Sequence, residues 1–428
     1  MCAMICPRST KSWHEGPRVS TFFMCPRNNL PVLSQERPPT PSQLHMKERS
    51  KVSQAGHIEI KACTSPARFL NAQREFYRGD PNYVPPAVLL DRWRLTPFTS
   101  VFMKENQVAL FLAYRDGEVV GRISATRHAA HDQFHGDHVG FFGHFEARDE
   151  AAAHQLLDRA CLWLRDHGAE TLRGPVDLST NHRCGVLVGG EDEPPFPFMS
   201  YNPPHYCDYF ESFGLQTVKR LLSIRLHGDT LKLERLETFV EKLSKRRAIH
   251  LRPVRSTEFK KDWQGIAVLY NRIWAHNWGF APMSGNDFRQ EMAGFGLIAA
   301  PEFFQVCYAG DEPIGLALAL PDINMGARAC NGKMLPFGWW KFFSAVRRTH
   351  RFRLMMLGIV PEHWKTGADV VLTYQMIRGL LARGRNDCEA GWILEDNYLM
   401  IRMLERLGGR ISKHFSIYGM PLQDIASV

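Results

Sequence analysis

The stretch PEHWKTGADVVL, Pro361 to Leu372, follows the apolar run FRLMMLGIV and leads into TYQMIRGLLARG. Buried strand, short Gly-containing turn and helix, in that order, aim backbone N–H groups and a helix N-terminus at one point. An anion, a phosphate above all, suits that point. Gly367 is where the chain would pass closest to it, between Thr366 and Ala368, and Lys365 adds a point charge. The plainer reading is an N-capped helix after a strand. Farther on, WILEDNYLM ends an apolar run with Glu395 and Asn397. A carboxylate there can take a proton.

Two other stretches carry chemistry-bearing side chains. STNHRCG is polar between apolar runs and brings Asn181, His182 and Cys184 together as substrate-facing residues. A covalent Cys184–His182 pairing is one reading. A structural turn is the favoured one, because adjacency in sequence does not make a nucleophile–base pair. NGKMLPFGWWKFFSAVRRTHRFR sets Phe337, Trp339, Trp340, Phe342 and Phe343 before Arg347, Arg348, Arg351 and Arg353. Aromatic side chains beside a basic cluster suit an anionic membrane surface or the mouth of an acyl-chain tunnel. A core helix with a solvated charged end explains the same pattern.

The elements that must position these residues repeat. In the first half, HIEIKA reads as a strand, PARFLNAQREFYRG as a helix, and QVALFLAYRDGEVVGRISATR as a hairpin about Asp116-Gly117. HVGFFGHFEA is a strand, DEAAAHQLLDRACLWLRDHG an amphipathic helix, ETLRGPVDLS a strand, HYCDYFESFG a short helix and TVKRLLSIRL a strand. The second half repeats β-α-β-β-β-α-β-α-β, from HLRPV to ISKHFSIYGM. The period is a unit of about 170–190 residues, a normal domain size. The expected division is an N-terminal domain 57–228, a charged linker helix 229–248 and a C-terminal domain 249–428. The first-half counterpart of the Gly367 turn is HFEARDEAAAH. It lacks glycine and holds Glu146, Asp149 and Glu150, which repel a diphosphate. The first domain is therefore expected to shape the acceptor site or support the second.

Bulk properties narrow the class. A chain of 428 residues with 44% apolar residues buries a sizeable core. The net charge of +9 is uneven: residues 1–56 hold eight Lys/Arg against three Asp/Glu. A near-neutral body argues against a nucleic-acid partner. The ten cysteines are scattered without a CxxC pair or zinc spacing, which reads as reduced thiols in a cytoplasmic protein with no metal. There is no apolar run long enough to span a membrane. Residues 1–56, rich in Pro, Ser and Arg, read as disordered, and Met46 is an alternative start.

The element order resembles that of the GNAT (GCN5-related) N-acyltransferase superfamily, in tandem: an α/β fold of two GNAT-like domains, each with a mixed sheet. LGIVPEHWKTGADVVL resembles the superfamily's strand, pyrophosphate loop and helix. WILEDNYLMIRMLERLGGRISKHFSIY resembles its next strand and helix. The resemblance spans nearly all of residues 57–428 as a pattern. It implies acyl-CoA or acetyl-CoA as co-substrate, with an acyl carrier protein as the alternative thioester donor, and an amine acceptor. It also implies a carbonyl-polarising N–H among Leu357, Gly358 and Ile359, a base at Glu395, and donor contacts from Lys365, Thr366, Gly367, Ala368 and Asn397. The superfamily's Gln or Arg and its second small residue are Trp364 and Asp369 here, and its leaving-group tyrosine is Leu404, for which Tyr398 and Tyr418 are the substitutes the resemblance implies. FFGHFEA, RGPVDLSTNHRCGVLV and YNPPHYCDYFESFG resemble a bacterial two-domain group that includes bacterial ceramide synthases. That likeness implies a long-chain sphingoid-base acceptor and peripheral contact with the inner membrane. The rival readings are an N-acetyltransferase for a small or protein amine, a transferase using aminoacyl-tRNA, and a non-catalytic binding protein.

Overall fold

The computed structural model describes residues 56–85, 88–190, 192–296, 300–334 and 336–424. The expectations for a disordered extension and a start at Met46 fall on residues outside these. In the first half, β1 (Ile58–Ala62) precedes α1 (Pro66–Phe76). Ser65 accepts the Arg68 N–H and Pro66 stands at the first turn, which starts the helix there. Then follow α2 (Val88–Leu95), α3 (Val101–Glu105), β2 (Gln107–Arg115), β3 (Glu118–Arg127), α4 (Ala129–His135) and β4 (Val139–Ala147). The β2–β3 turn has positive φ at both Asp116 (52°) and Gly117 (83°), the pairing that a two-residue hairpin requires. The half closes with α5 (Glu150–Asp166), β5 (Thr171–Gly174), β6 (Val186–Gly189), α6 (Tyr206–Ser212) and β7 (Gln216–His227).

The connecting helix is α7 (Glu234–Arg247). After it come β8 (Ile249–Pro253), α8 (Ser256–Trp274), α9 (Gly285–Gly296), β9 (Phe304–Ala309), β10 (Glu312–Pro321), α10 (Ile323–Ala329) and α11 (Gly338–Arg348). The chain ends in β11 (Arg351–Ile359), α12 (Ala368–Leu381), β12 (Asp387–Leu394), α13 (Tyr398–Arg406) and β13 (Arg410–Pro421). Strands and helices thus fall where the hydrophobic periodicity puts them. The elements it does not reveal, α2, α3, α4, β6, α9 and α10, are mostly short, and tertiary contacts define them.

One sheet runs β1-β2-β3-β4-β5-β13-β7-β12-β11-β10-β9-β8, with β6 on β13. Each half's closing strand therefore lies beside the fifth strand of the other half. β7 pairs with β12 (Leu226 opposite Cys388), and β13 pairs with β5 (Tyr418 opposite Gly174). This reciprocal exchange makes the ladder continuous across the seam. Apolar residues of both halves pack there, among them Phe141, Val176 and Phe196 with Trp392, Phe415 and Ile417.

Candidate active site

In the second half, β11 and β12 run parallel from Arg351/Asp387 to Leu354/Ala390, and their pairing ends there. β11 continues along β10, with Leu357 opposite Ala317 and Ile359 opposite Gly315. β12 continues along β7 to Leu394. The two strands diverge, and beyond Leu354 the β11 edge has no β12 partner. A pocket of about 510 Å³ opens at the far end, lined by Leu357, Gly358, Ile359, Trp364, Lys365 and Asp369, with Met400 behind. A larger cavity of about 1140 Å³, mouth included, is lined from the same two strands by Arg353, Met355 and Trp392. Its remaining walls come from both halves.

The turn between β11 and α12 is tightly built. Trp364 Nε1 donates to the Ile359 carbonyl (3.0 Å) and ties the loop to the strand end. Lys365 (φ 61°) and Gly367 (φ 84°) are both left-handed. A Cβ on Gly367 would lie 2.5 Å from Leu243 Cδ2 of α7, so with the positive φ a side chain there is disfavoured and the leucine would have to move. The Thr366 hydroxyl donates to the His363 carbonyl (2.7 Å). The Asp369 carboxylate accepts its own N–H and that of Val370, and burial raises its pKa. Part of the helix N-terminus is thus satisfied internally. The residues fit the thioester arm of a donor between β11 and β12. They offer few remaining donors to a diphosphate.

The first half is closed at the equivalent point. β4 and β5 pair in parallel from Val139/Thr171 to Phe141/Arg173. Beyond them the Val176 N–H donates to the Phe142 carbonyl (2.6 Å), and a Cβ on Gly143 would sit 2.2 Å from Val176 O. The segment after β5 zips the wedge shut. Asp149 caps α5 by accepting the Ala152 N–H (3.0 Å) and holds Arg115 by two hydrogen bonds. Glu146 is buried and accepts hydrogen bonds from Gln73, Tyr77 and Tyr206.

The segment 177–183 instead forms a wall of the large cavity. Arg183 donates to Asp177 Oδ2 through Nε (2.7 Å) and Nη2 (2.6 Å). Burial opposes ionisation of Asp177, but Arg183 holds its carboxyl well below the usual range. The Asp177 Oδ1 accepts the backbone N–H of His144 (2.5 Å). His182 lies between Ser179 Oγ (2.9 Å from Nδ1) and Glu291 Oε1 (3.6 Å from Nε2). Burial lowers its pKa and Glu291 opposes that. Asn181 joins the halves: its Nδ2 donates to the Ala281 carbonyl (2.8 Å) and the Tyr270 hydroxyl donates to its Oδ1 (2.8 Å).

Of the sequence-derived residues, Leu357, Gly358, Ile359 and Lys365 line the smaller pocket, and Asn181 and His182 line the larger cavity. Thr366, Gly367 and Ala368 form the turn beside the pocket. Glu395, Tyr398 and Tyr418 line neither of these two cavities. Glu395 is exposed, and Tyr398 is 63% exposed. Tyr418 is buried against Phe210 in the first-half core and donates to Glu211 (3.0 Å), because β13 carries it across the seam. Asn397 caps α13 by accepting the Met400 N–H (3.2 Å). Cys184 is buried at the seam, and the His182 ring nitrogens lie toward Ser179 and Glu291. Trp339 and Trp340 lie on α11, 49% and 65% exposed, while Phe342 and Val346 of the same helix pack on Ile323 and Ala327 of α10. Sequence reasoning missed His144, Arg94 and Glu291 as cavity residues. FFGHFEA held the first, but only the fold brings it to the cavity.

The same tandem arrangement occurs in solved structures. A tandem GNAT protein from the clavulanic acid biosynthesis pathway matches with a TM-score of 0.53 at 12% identity, over 87% of this chain and 100% of that one. The chain has the tandem GNAT fold. A second GNAT structure, the GCN5-related N-acetyltransferase from Sphaerobacter thermophilus, matches with a TM-score of 0.50 at 11% identity, over 87% and 98%. Two curated proteins align over most of this tandem GNAT chain. Protein YghO of Escherichia coli (strain K12) is 29% identical over 367 residues, 82% of this chain and 91% of that protein. The bacterial ceramide synthase of Caulobacter vibrioides (strain NA1000 / CB15N) is 28% identical over 369 residues, 84% and 96%. No family model matches the sequence. Among the described residues, no helix is long and apolar enough to cross a membrane.

Proposed function

We propose that the protein transfers a long acyl chain from a thioester to the amine of a lipid, a sphingoid-type base being the best fit. The observation that carries this reading is the divergence of β11 and β12. The Gly367 pocket lies at one end of it, and Arg353, Met355 and Trp392 bring the same strands to the large cavity. A thioester arm entering at the pocket would present its carbonyl toward the cavity, where an amine from the other side would meet it. A backbone N–H on the unpaired β11 edge would polarise that carbonyl.

Three features support a lipid. The cavity has apolar walls in Phe198, Phe295 and Ile323. Ile323 and Phe198 also belong to the packing beneath α11, whose outer face shows Trp339, Trp340 and Phe343 with Arg347 and Arg348 behind them. A relative matched nearly end to end is named a ceramide synthase. The internally satisfied α12 N-terminus favours a donor held mainly by its acyl and pantetheine parts, whether on coenzyme A or on a carrier protein.

Calorimetric titration with coenzyme A, acetyl-CoA and palmitoyl-CoA tests the donor side. Palmitoyl-CoA is expected to bind at least about tenfold tighter than acetyl-CoA, a difference of about 1.4 kcal/mol. Equal affinities, or preference for acetyl-CoA, would contradict a long-chain donor.

A further inference from the structure

We propose that His144, in the first half, takes the proton from the acceptor amine during acyl transfer at the second-half wedge. The inference rests on the acyl-transfer reading above and deepens it: the base comes from the domain that does not hold the donor.

The backbone sets this residue apart. Between β3 and β4, Arg122 lies opposite Glu146 and Ser124 opposite Gly143. His144 and Phe145 therefore face Ile123 alone, a bulge of the kind that re-aims a side chain. His144 has φ 45°, in the sparsely populated left-handed region, and its surroundings help to hold it there. Its N–H is held by Asp177, which Arg183 fixes in turn. The ring is buried and lines the large cavity with Met355 and Trp392 of the wedge. Ser124 Oγ lies 3.0 Å from Nδ1. With the proton on Nδ1 donated to Ser124, Nε2 keeps its lone pair for the cavity. His182 differs in that its Nε2 lies 3.6 Å from the Glu291 carboxylate, although it makes no hydrogen bond there.

The groups around the ring keep it neutral. Burial pushes His144 down to about 4; Asp177 and Asp91 oppose this, and Arg183 and Arg122 add to it. In the step itself, the amine lone pair attacks the thioester carbonyl carbon and the C–N bond forms. The N–H proton passes to Nε2 as the nitrogen becomes cationic and strongly acidic. The C–S bond then breaks, and the departing thiolate receives that proton by way of solvent.

The test measures amide formation from palmitoyl-CoA and sphinganine by the full chain, from about pH 6.5 to about 9.5. For His144→Gln the expected loss near neutral pH is about 10²–10⁴-fold, the usual worth of a general base. The deficit should shrink as pH rises, because hydroxide then takes the proton from the newly cationic nitrogen in place of the histidine. Ser124→Ala, which keeps the histidine, is expected to show a smaller loss of the same shape, and it carries the test if His144→Gln does not fold. A His144→Gln rate within about threefold of wild type, or a loss equal at every pH, would overturn the proposal, since a purely structural role predicts no recovery. Absence of amide from the wild-type chain would instead refute the underlying acyl-transfer reading, so the two failures are distinguishable.

Discussion

Arg94 of α2 and Glu291 of α9 form an ion pair across the two halves, with Arg94 Nη2 2.6 Å from Glu291 Oε2 and Nε within 3.0 and 3.1 Å of the two oxygens. Their side chains are 17% and 7% exposed. Burial works against ionisation of Glu291, but Arg94 overcomes it and holds the carboxyl well below its usual range. Arg94→Met leaves a buried carboxylate uncompensated, and a loss of about 3–5 kcal/mol is expected in urea unfolding. The double variant Arg94→Met/Glu291→Met is expected to recover much of it. Additive losses would show that the pair contributes nothing jointly.

Gly367 is constrained both by its own backbone and by Leu243. Gly367→Ala is expected to destabilise by about 1–2 kcal/mol, from positive φ and contact with the leucine. Leu243→Ala in the same chain should restore the part due to the contact. A thermal denaturation series of the four proteins checks this. Full additivity would mean that α7 does not press on the loop in solution.

Asp287 supplies a pH dependence of stability. Burial, with Glu291 and Glu105 adding to it, pushes its carboxyl up to about 8. Between its unfolded value of about 4 and this folded value, the native chain binds a proton that the unfolded chain does not. Its contribution to stability therefore falls as pH rises through that window. Asp287→Asn is expected to match wild type near pH 5 and to exceed it above pH 8 by about 1–2 kcal/mol. Wild-type stability independent of the substitution at both values would refute the raised pKa.

The aromatic face of α11 makes a separate prediction. Trp339→Ala/Trp340→Ala removes two exposed rings and should change the melting temperature little. Flotation with vesicles of anionic phospholipid should fall about tenfold or more, and wild-type binding should weaken as salt rises. Unchanged flotation would leave α11 without a membrane role.

Much of the fold was legible because both halves alternate strongly periodic strands and helices, and the glycine at 367 marked the turn between β11 and α12. The surroundings of the acid–base candidates were not legible. Sequence position put Glu395 at a strand end, but the β12–β7 pairing and the Lys219–Asp396 ion pair leave that end on the surface. Tyr418 was placed with the second half because its strand is, yet strand exchange buries it in the first-half core. His144 lies in HVGFFGHFEA, which the sequence marks only as a strand, and a bulge without a sequence marker sets it at the cavity. Long-range pairing decides all three, and local pattern does not record it.

The most direct measurement is mass spectrometry of the products formed by the purified chain from palmitoyl-CoA and sphinganine. The expected result is N-palmitoyl sphinganine with one free thiol released per amide. Thiol release without amide, or no reaction while acetyl-CoA acylates a small polar amine, would contradict a long-chain lipid acyltransferase.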